Sequence, residues 1–256
     1  MEISFNVGDS EQKALDGPLQ VGWFLTDEQG ALLFDAPYRL KNTSQNRHSK
    51  SASRCPAILQ LESRYFVINC PYDLHLRFAR DSQGKATLVN VLGDRSAVRQ
   101  NKLSQILSLV QEKEWRSPKI PIIQLKLPYC FIADEVTYIT QLDAFCHYRK
   151  NPLPGTIFGG RFPIHIWPRP LMWAFEWHDT TQDLILKRGE PLFYCQFDGF
   201  DPSRSTKLIQ AEKTPELLHY MEQISGVVNY VNQTFSLFKE AEKVRPKHLF
   251  THKKTN

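Results

Sequence analysis

A mainly β protein is what the sequence predicts: two antiparallel sheets in a sandwich or jelly-roll, with one inserted helix and a carboxy-terminal helical pair. Short apolar runs punctuated by turn residues fill the stretch from Val21 to Leu92, as they do in all-β folds. One of those runs sets Tyr72, Leu74, Leu76 and Phe78 against Asp73, His75 and Arg77, a period of two that marks a half-buried strand. Helical spacing, by contrast, appears in only a few short windows. The bulk composition agrees. A chain of 256 residues with 41% hydrophobic residues, 23% charged residues and a formal net charge of +5 is neither disordered, collagen-like nor a coiled coil. No window of about 18 residues is both apolar and uncharged, so no membrane-spanning helix is expected. The opening Met1-Glu2-Ile3-Ser4 does not begin like a secretory signal.

Taken in order, Val21–Leu25 and Ala31–Phe34 flank Asp27-Glu28-Gln29-Gly30 and read as a hairpin with a glycine in its loop. Ala57–Leu61 and Tyr65–Cys70 read as strands. The alternating strand at 72–78 follows, then a turn at Ser82-Gln83-Gly84-Lys85 and a strand over Ala86–Leu92. Leu103, Ile106, Leu107 and Val110 fall at i, i+3, i+4 and i+7. They predict an amphipathic helix from Ser96 to Trp115, stopped by Ser117-Pro118. Strands resume at Ile120–Leu127 and Tyr138–Leu142, and Lys150-Asn151-Pro152-Leu153-Pro154-Gly155 is the strongest loop signal. Arg161–Trp167 and Leu171–His178 predict two strands around Pro168-Arg169-Pro170. Asp183–Lys187 and Leu192–Phe197 predict two more around Arg188-Gly189-Glu190-Pro191. Thr214 caps a helix that has Pro215 at its first position and Leu217, Leu218 and Met221 as its buried stripe. Past Gly226, a second helix aligns Val228, Val231, Phe235 and Phe238 and ends before Pro246.

These elements suit one domain over 1–256, or two β-lobes at 1–116 and 117–256, with a helical segment 214–244 and a basic tail 245–256. The five cysteines (Cys55, Cys70, Cys130, Cys146 and Cys195) are scattered and form no C-x-x-C pair. That argues against a disulfide framework or a thiolate zinc site and for a reduced, cytoplasmic protein. Cys146, beside His147, reads as a core thiol. Lys41, Arg47, Lys50 and Arg54 make one basic stretch, and the residues from Lys243 to Asn256 make another. Such stretches attract anionic surfaces, but the overall excess is too modest to name nucleic acid as the partner.

The segment RFPIHIWPRPLMWAFEWHD carries the candidate site. Its first strand shares Phe162, Ile164 and Ile166 on one face, and its second shares Leu171, Trp173, Phe175 and Trp177. Pairing the two with all seven apolar side chains on one face gathers Arg161, His165, Glu176 and His178 on the other. Two histidines and a carboxylate, His165, Glu176 and His178, suit a divalent metal such as iron or zinc. Arg161 with the histidines suits a small anionic ligand, held by the guanidinium in bidentate fashion. The same face also works as plain solvent-facing sheet, with Arg161 and Glu176 as a cross-strand ion pair. Asp73, His75 and Arg77 form a second polar face of the same kind.

Dinucleotide and phosphate-loop motifs, a nucleophile elbow and H-E-x-x-H are all absent. The segments RCPAI, CPYDLHL, GRFPIHIWPRPLMWAFEWHD and KRGEPLFYCQF resemble those of an uncharacterised family of mainly β proteins in tailed phages and bacteria. That resemblance covers most of the chain and implies no activity. The expectation is therefore a non-catalytic binding or interaction protein, with a small anionic ligand or a protein as partner and no membrane. The alternative is a metal-assisted enzyme of small molecules using His165, Glu176 and His178.

Overall fold

The computed structural model describes residues 17–27, 30–41, 48, 50–227 and 234–253. Glu28 and Gln29, Arg47, Val228, Val231 and the last three residues of the tail lie outside these, as do the opening residues. The chain forms β1 (Leu19–Leu25), β2 (Tyr38–Arg39), α1 (Pro56–Glu62), β3 (Tyr65–Asn69), β4 (Leu74–Arg80), β5 (Ala86–Asn90), α2 (Gln100–Ile106) and β6 (Leu107–Leu109). There follow β7 (Ile122–Ile132), β8 (Tyr138–Asp143), β9 (Gly155–Ile157), β10 (Gly160–Pro163), β11 (Pro170–Trp177), β12 (Leu184–Leu186), β13 (Pro191–Asp198) and β14 (Thr206–Gln210). Helices α3 (Pro215–Val227) and α4 (Thr234–Lys243) close the chain. No helix among the described residues is long and apolar enough to cross a membrane.

The mainly β expectation holds, but the strands of the described residues form three sheets rather than two. Six strands run β14-β1-β7-β11-β9 with β6 beside β7, five run β10-β8-β13-β3-β2, and three run β12-β4-β5. Every sheet takes strands from both sides of residue 116. All pairs are antiparallel except β1 with β14. The separation of the last two sheets has a local cause. The ladder β3–β13 ends at Asn69 opposite Pro191, and β4–β12 begins at Leu74 opposite Leu186. Between them, Gly189 (φ 81°) donates to the Cys70 carbonyl, and the Cys70 N–H donates to Glu190. The two strands therefore turn one shared corner. Gly189 supplies the left-handed backbone there, and Pro71 has no N–H to continue the ladder.

Side-chain alternation builds the core. Phe66 and Ile68 of β3, Leu74 and Leu76 of β4, Leu125 and Phe131 of β7, and Trp173, Phe175 and Trp177 of β11 all belong to one buried cluster. The opposite face of the six-stranded sheet carries Phe24, Cys130 and Ile132, which pack under Leu217, Tyr220 and Ile224 of α3, Ala241 of α4, and Leu249. Two β layers and a helical layer result.

Several local expectations are corrected. Ala31–Leu33 is a 3-10 turn and β1 pairs with β7 and β14, so no hairpin forms at 21–34. The run at 57–61 is helical, started by Pro56 at its first position. The helix expected from Ser96 to Trp115 is only α2, after which Leu107–Leu109 becomes a strand. β1 covers one edge of β7 only at Tyr129–Ile132, and β6 takes Ile123–Leu125 of that same edge. Satisfying those backbone groups outweighs one more helical turn. In α3 the buried stripe is Leu217, Tyr220 and Ile224, while Leu218 is exposed, and the helix continues through Gly226.

Candidate functional site

The strand pair expected to assemble the polar cluster does not form. β10 ends at Pro163 and pairs with β8, Arg161 lying opposite Thr140. β11 pairs with β7 and β9. Prolines at 163, 168 and 170 leave three missing N–H donors where a hairpin ladder would close. The chain instead turns, the Trp167 N–H donating to the Pro163 carbonyl. Arg161 and Glu176 thus belong to different sheets, and the expected four-residue cluster separates into two pairs.

Arg161 and His165 meet around Tyr138. The Arg161 guanidinium lies 4.7 Å above the Tyr138 ring and donates to Asp198 at 2.7 Å. His165 sits in the turn with its ring edge toward Tyr138. Its Nδ1 accepts from the Thr137 N–H at 3.1 Å and lies 3.0 Å from the Thr137 carbonyl oxygen. Burial holds this imidazole below its ordinary pKa.

Glu176 and His178 remain together, as two residues apart on one strand should. Glu176 is 5% exposed. Arg116 grips its carboxylate with two hydrogen bonds, 2.7 and 2.6 Å, and these hold the carboxyl below the usual range. His178 Nε2 lies 3.9 Å from Glu176 Oε2 and 3.2 Å from Thr156 Oγ1. The Arg116 guanidinium also covers Phe158 at 4.5 Å.

The second polar face organises around a residue the sequence did not single out. Asp183 receives two hydrogen bonds from Arg77 and lies 2.8 Å from His75 Nε2. The Arg77 guanidinium, helped by His75, lowers the Asp183 carboxyl pKa to about 2. Asp73 accepts from the Arg188 N–H at 3.2 Å. Arg116, Asp183 and Asp198 were the missing partners. Only the pairing of β4 with β12 brings Asp183 to Arg77, and no local spacing announces such a contact. Among the described residues, no group of three or more His, Cys, Asp or Glu side chains is arranged to hold a metal ion.

A different feature stands on the outer face of the five-stranded sheet. Tyr65 of β3 and Tyr194 of β13 form a small buried cluster with Val67 and Ala144. Phe145 rests edge-on against both, with ring centroids 5.2 and 5.4 Å away. Phe145 is 52% exposed, Tyr148 88% and Tyr38 44%. Cys146 lies exposed in this segment, which corrects its expected place in the core; Cys70, Cys130 and Cys195 are buried. A separate surface groove of about 550 Å³ runs between β5 and β6, lined by Leu88, Leu103 and Leu109 together with Lys85 and Glu112. Comparison with family models, curated proteins and solved structures yields no match to this chain.

Proposed function

We propose that the protein is a non-catalytic binding protein whose contact surface is the outer face of the five-stranded sheet, and that its partner is another protein. The observation that carries this reading is half-exposed Phe145 resting on the Tyr65–Tyr194 cluster, with exposed Tyr38 opposite Val67 of that cluster and exposed Tyr148 three residues further along the Phe145 segment. Tyrosine, phenylalanine and arginine are residue types enriched at protein interfaces. Arg161, 52% exposed at its side chain, extends the same face.

The acidic groups fit this reading better than they fit acid–base chemistry. Asp183 and Glu176 are each held by an arginine that lowers the carboxyl pKa, which keeps them ionised rather than poised near neutral pH. The free thiols suit a reducing, cytoplasmic setting. The resemblance to phage and bacterial proteins suggests a virion or host-interaction component.

Cross-linking in the native host, with a photoreactive residue replacing Tyr148, tests the reading. One specific protein should be captured, and Phe145→Ser should abolish its capture without changing Tm by more than a few degrees. Elemental analysis of protein purified without a histidine tag tests the alternative. Stoichiometric iron or zinc, lost in a His178→Ala variant, would overturn the non-catalytic reading in favour of the metal-assisted one.

A further inference from the structure

The arginines provide an internal comparison. Among the described residues, Arg39, Arg64, Arg149, Arg204 and Arg245 are partly buried, and each donates to carbonyl or carboxylate oxygens. Arg39 reaches the carbonyls of Ser63 and Thr206. Arg204 takes Glu135, and Arg245 takes the carbonyls of Asp134 and His165. Arg169 is also partly buried, yet among the described residues its partner is an aromatic ring: its guanidinium lies 4.8 Å above the Trp167 indole. Desolvation is the only influence on its pKa, which it lowers, and no carboxylate contributes. Stacking on a ring uses the face of the guanidinium and none of its five N–H donors, which lie in its plane.

The surroundings make this guanidinium a fixed feature rather than a loose surface group. It sits between Pro168 and Pro170, whose rings restrict the backbone on both sides. Trp167 is itself wedged, with Phe162 at 6.0 Å and Phe238 at 5.2 Å, both edge-on. The turn below is pinned by Tyr220, whose hydroxyl donates to the Ile166 carbonyl at 2.6 Å. The guanidinium is partly desolvated, yet its nitrogens are not among the buried unpartnered ones, so its in-plane donors stay open to solvent and to an acceptor arriving from outside. Such an acceptor would meet donors already held in place by the stack on Trp167.

We propose that Arg169, stacked on Trp167, is the recognition point for an oxyanion, the carboxylate or phosphate group of a small ligand. Two oxygens of the anion take the in-plane fork of the guanidinium. Trp167 and Phe162 offer apolar surface to whatever part of the ligand carries the anion. The reduced solvent exposure makes the pair stronger than a surface ion pair. This site uses none of the residues of the aromatic sheet face, so either proposal can fail without the other.

The test is a titration of the whole protein with inorganic phosphate, acetate and benzoate at constant ionic strength set by chloride. Tm and tryptophan fluorescence are the readouts. At least one oxyanion should raise Tm saturably, as a ligand that binds only the folded state must. Phosphate acting alone points to a phosphate ester, and benzoate exceeding acetate points to an aromatic carboxylate. Arg169→Met keeps the apolar stem and should weaken the response at least about 10-fold, the usual loss with a charged hydrogen bond. Arg169→Lys keeps the charge without the fork and should recover little of it. In chloride alone, Arg169→Met should be no less stable than the wild type. Equal anion responses in wild type and Arg169→Met would mean an adventitious ion only and would overturn the proposal. So would a flat response to all three anions. Failure of Arg169→Met to fold would overturn it too, since a guanidinium with no hydrogen-bond acceptor among the described residues of the protein cannot be what holds the fold.

Discussion

The β4–β5 hairpin and the β10–β11 segment begin as the same kind of sequence, two apolar runs on either side of a short turn, and end as opposite structures. In the first, Asp81 Oδ1 accepts from the N–H groups of Gln83 and Lys85, and Gly84 takes φ 78°. The strands then pair from Arg80–Ala86 to Leu76–Asn90 without interruption. In the second, the connection contains Pro163, Pro168 and Pro170, and its two strands join different sheets. Apolar runs flank both turns. The turn decides, because a hairpin needs a backbone that can reverse and donors that can pair, and prolines withhold both. A local signal therefore suffices where the turn is local, and fails where the turn is a corner.

The largest expected effect strikes the crossing segment. Phe175→Ala, at a fully buried position that bridges the β7 and β9 pairings, should cost about 3–5 kcal/mol in urea unfolding. Leu88→Ala on the half-buried hairpin should cost clearly less. Equal losses would show that the two regions do not differ in how much of the fold depends on them.

Gly155→Ala comes next. A Cβ there would lie 1.9 Å from the Glu176 carbonyl oxygen, so β9 has to move off β11. We expect a loss of about 1–3 kcal/mol and faster amide exchange at Thr156 and Ile157. Gly160→Ala, where a Cβ would meet nothing within 4 Å, should be close to neutral and serves as its control. A neutral Gly155→Ala would contradict the close strand approach.

Gly84→Ala probes the hairpin's own device. The space around Gly84 is open, and only its positive φ opposes a side chain. The cost should be about 1 kcal/mol in the same unfolding measurement. No change would show that the turn is not what closes the hairpin.

The last effect is silent at neutral pH. Asp183, paired with two side chains of the hairpin strand β4, has its carboxyl pKa lowered to about 2 in the folded protein, below its ordinary 3.8. The unfolded chain therefore takes up the proton first as pH falls. The stability contributed is complete above pH 4 and disappears as pH drops toward 2. His165, lowered by burial in the crossing segment, acts in the same direction but from a higher pH, beginning below its ordinary 6.5. Tm measured from pH 7.5 down to 2.5 should fall in two limbs. His165→Gln should flatten the upper limb and Asp183→Asn the lower one. A single limb unaffected by either variant would refute both assignments.

The core was legible to a useful degree. Leu74 and Leu76 of β4, and Leu171, Trp173, Phe175 and Trp177 of β11, are buried as their alternation predicts. The site was legible only where its residues share a strand. Glu176 and His178 stay together, as do His75 and Arg77, because strand geometry carries that information locally. Arg161 and His165 part from Glu176 because their association rested on a strand pairing, and pairing is a property of two segments. The partners Asp183, Arg116 and Asp198 were hidden for the same reason, being 106, 60 and 37 residues from the groups they neutralise.

By itself, the sequence determined which face of strands such as β4 and β11 turns inward, because a two-residue period is written in neighbouring side chains. It also determined the glycine and proline positions at which the chain reverses or refuses to pair. Tertiary structure alone decided which strands meet, that β6 would be strand rather than helix, and that three sheets would share one core. Those outcomes depend on backbone donors and acceptors finding partners across long sequence separations. An unpaired edge such as that of β7 recruits whichever segment lies within reach, and no residue in that segment records the demand beforehand.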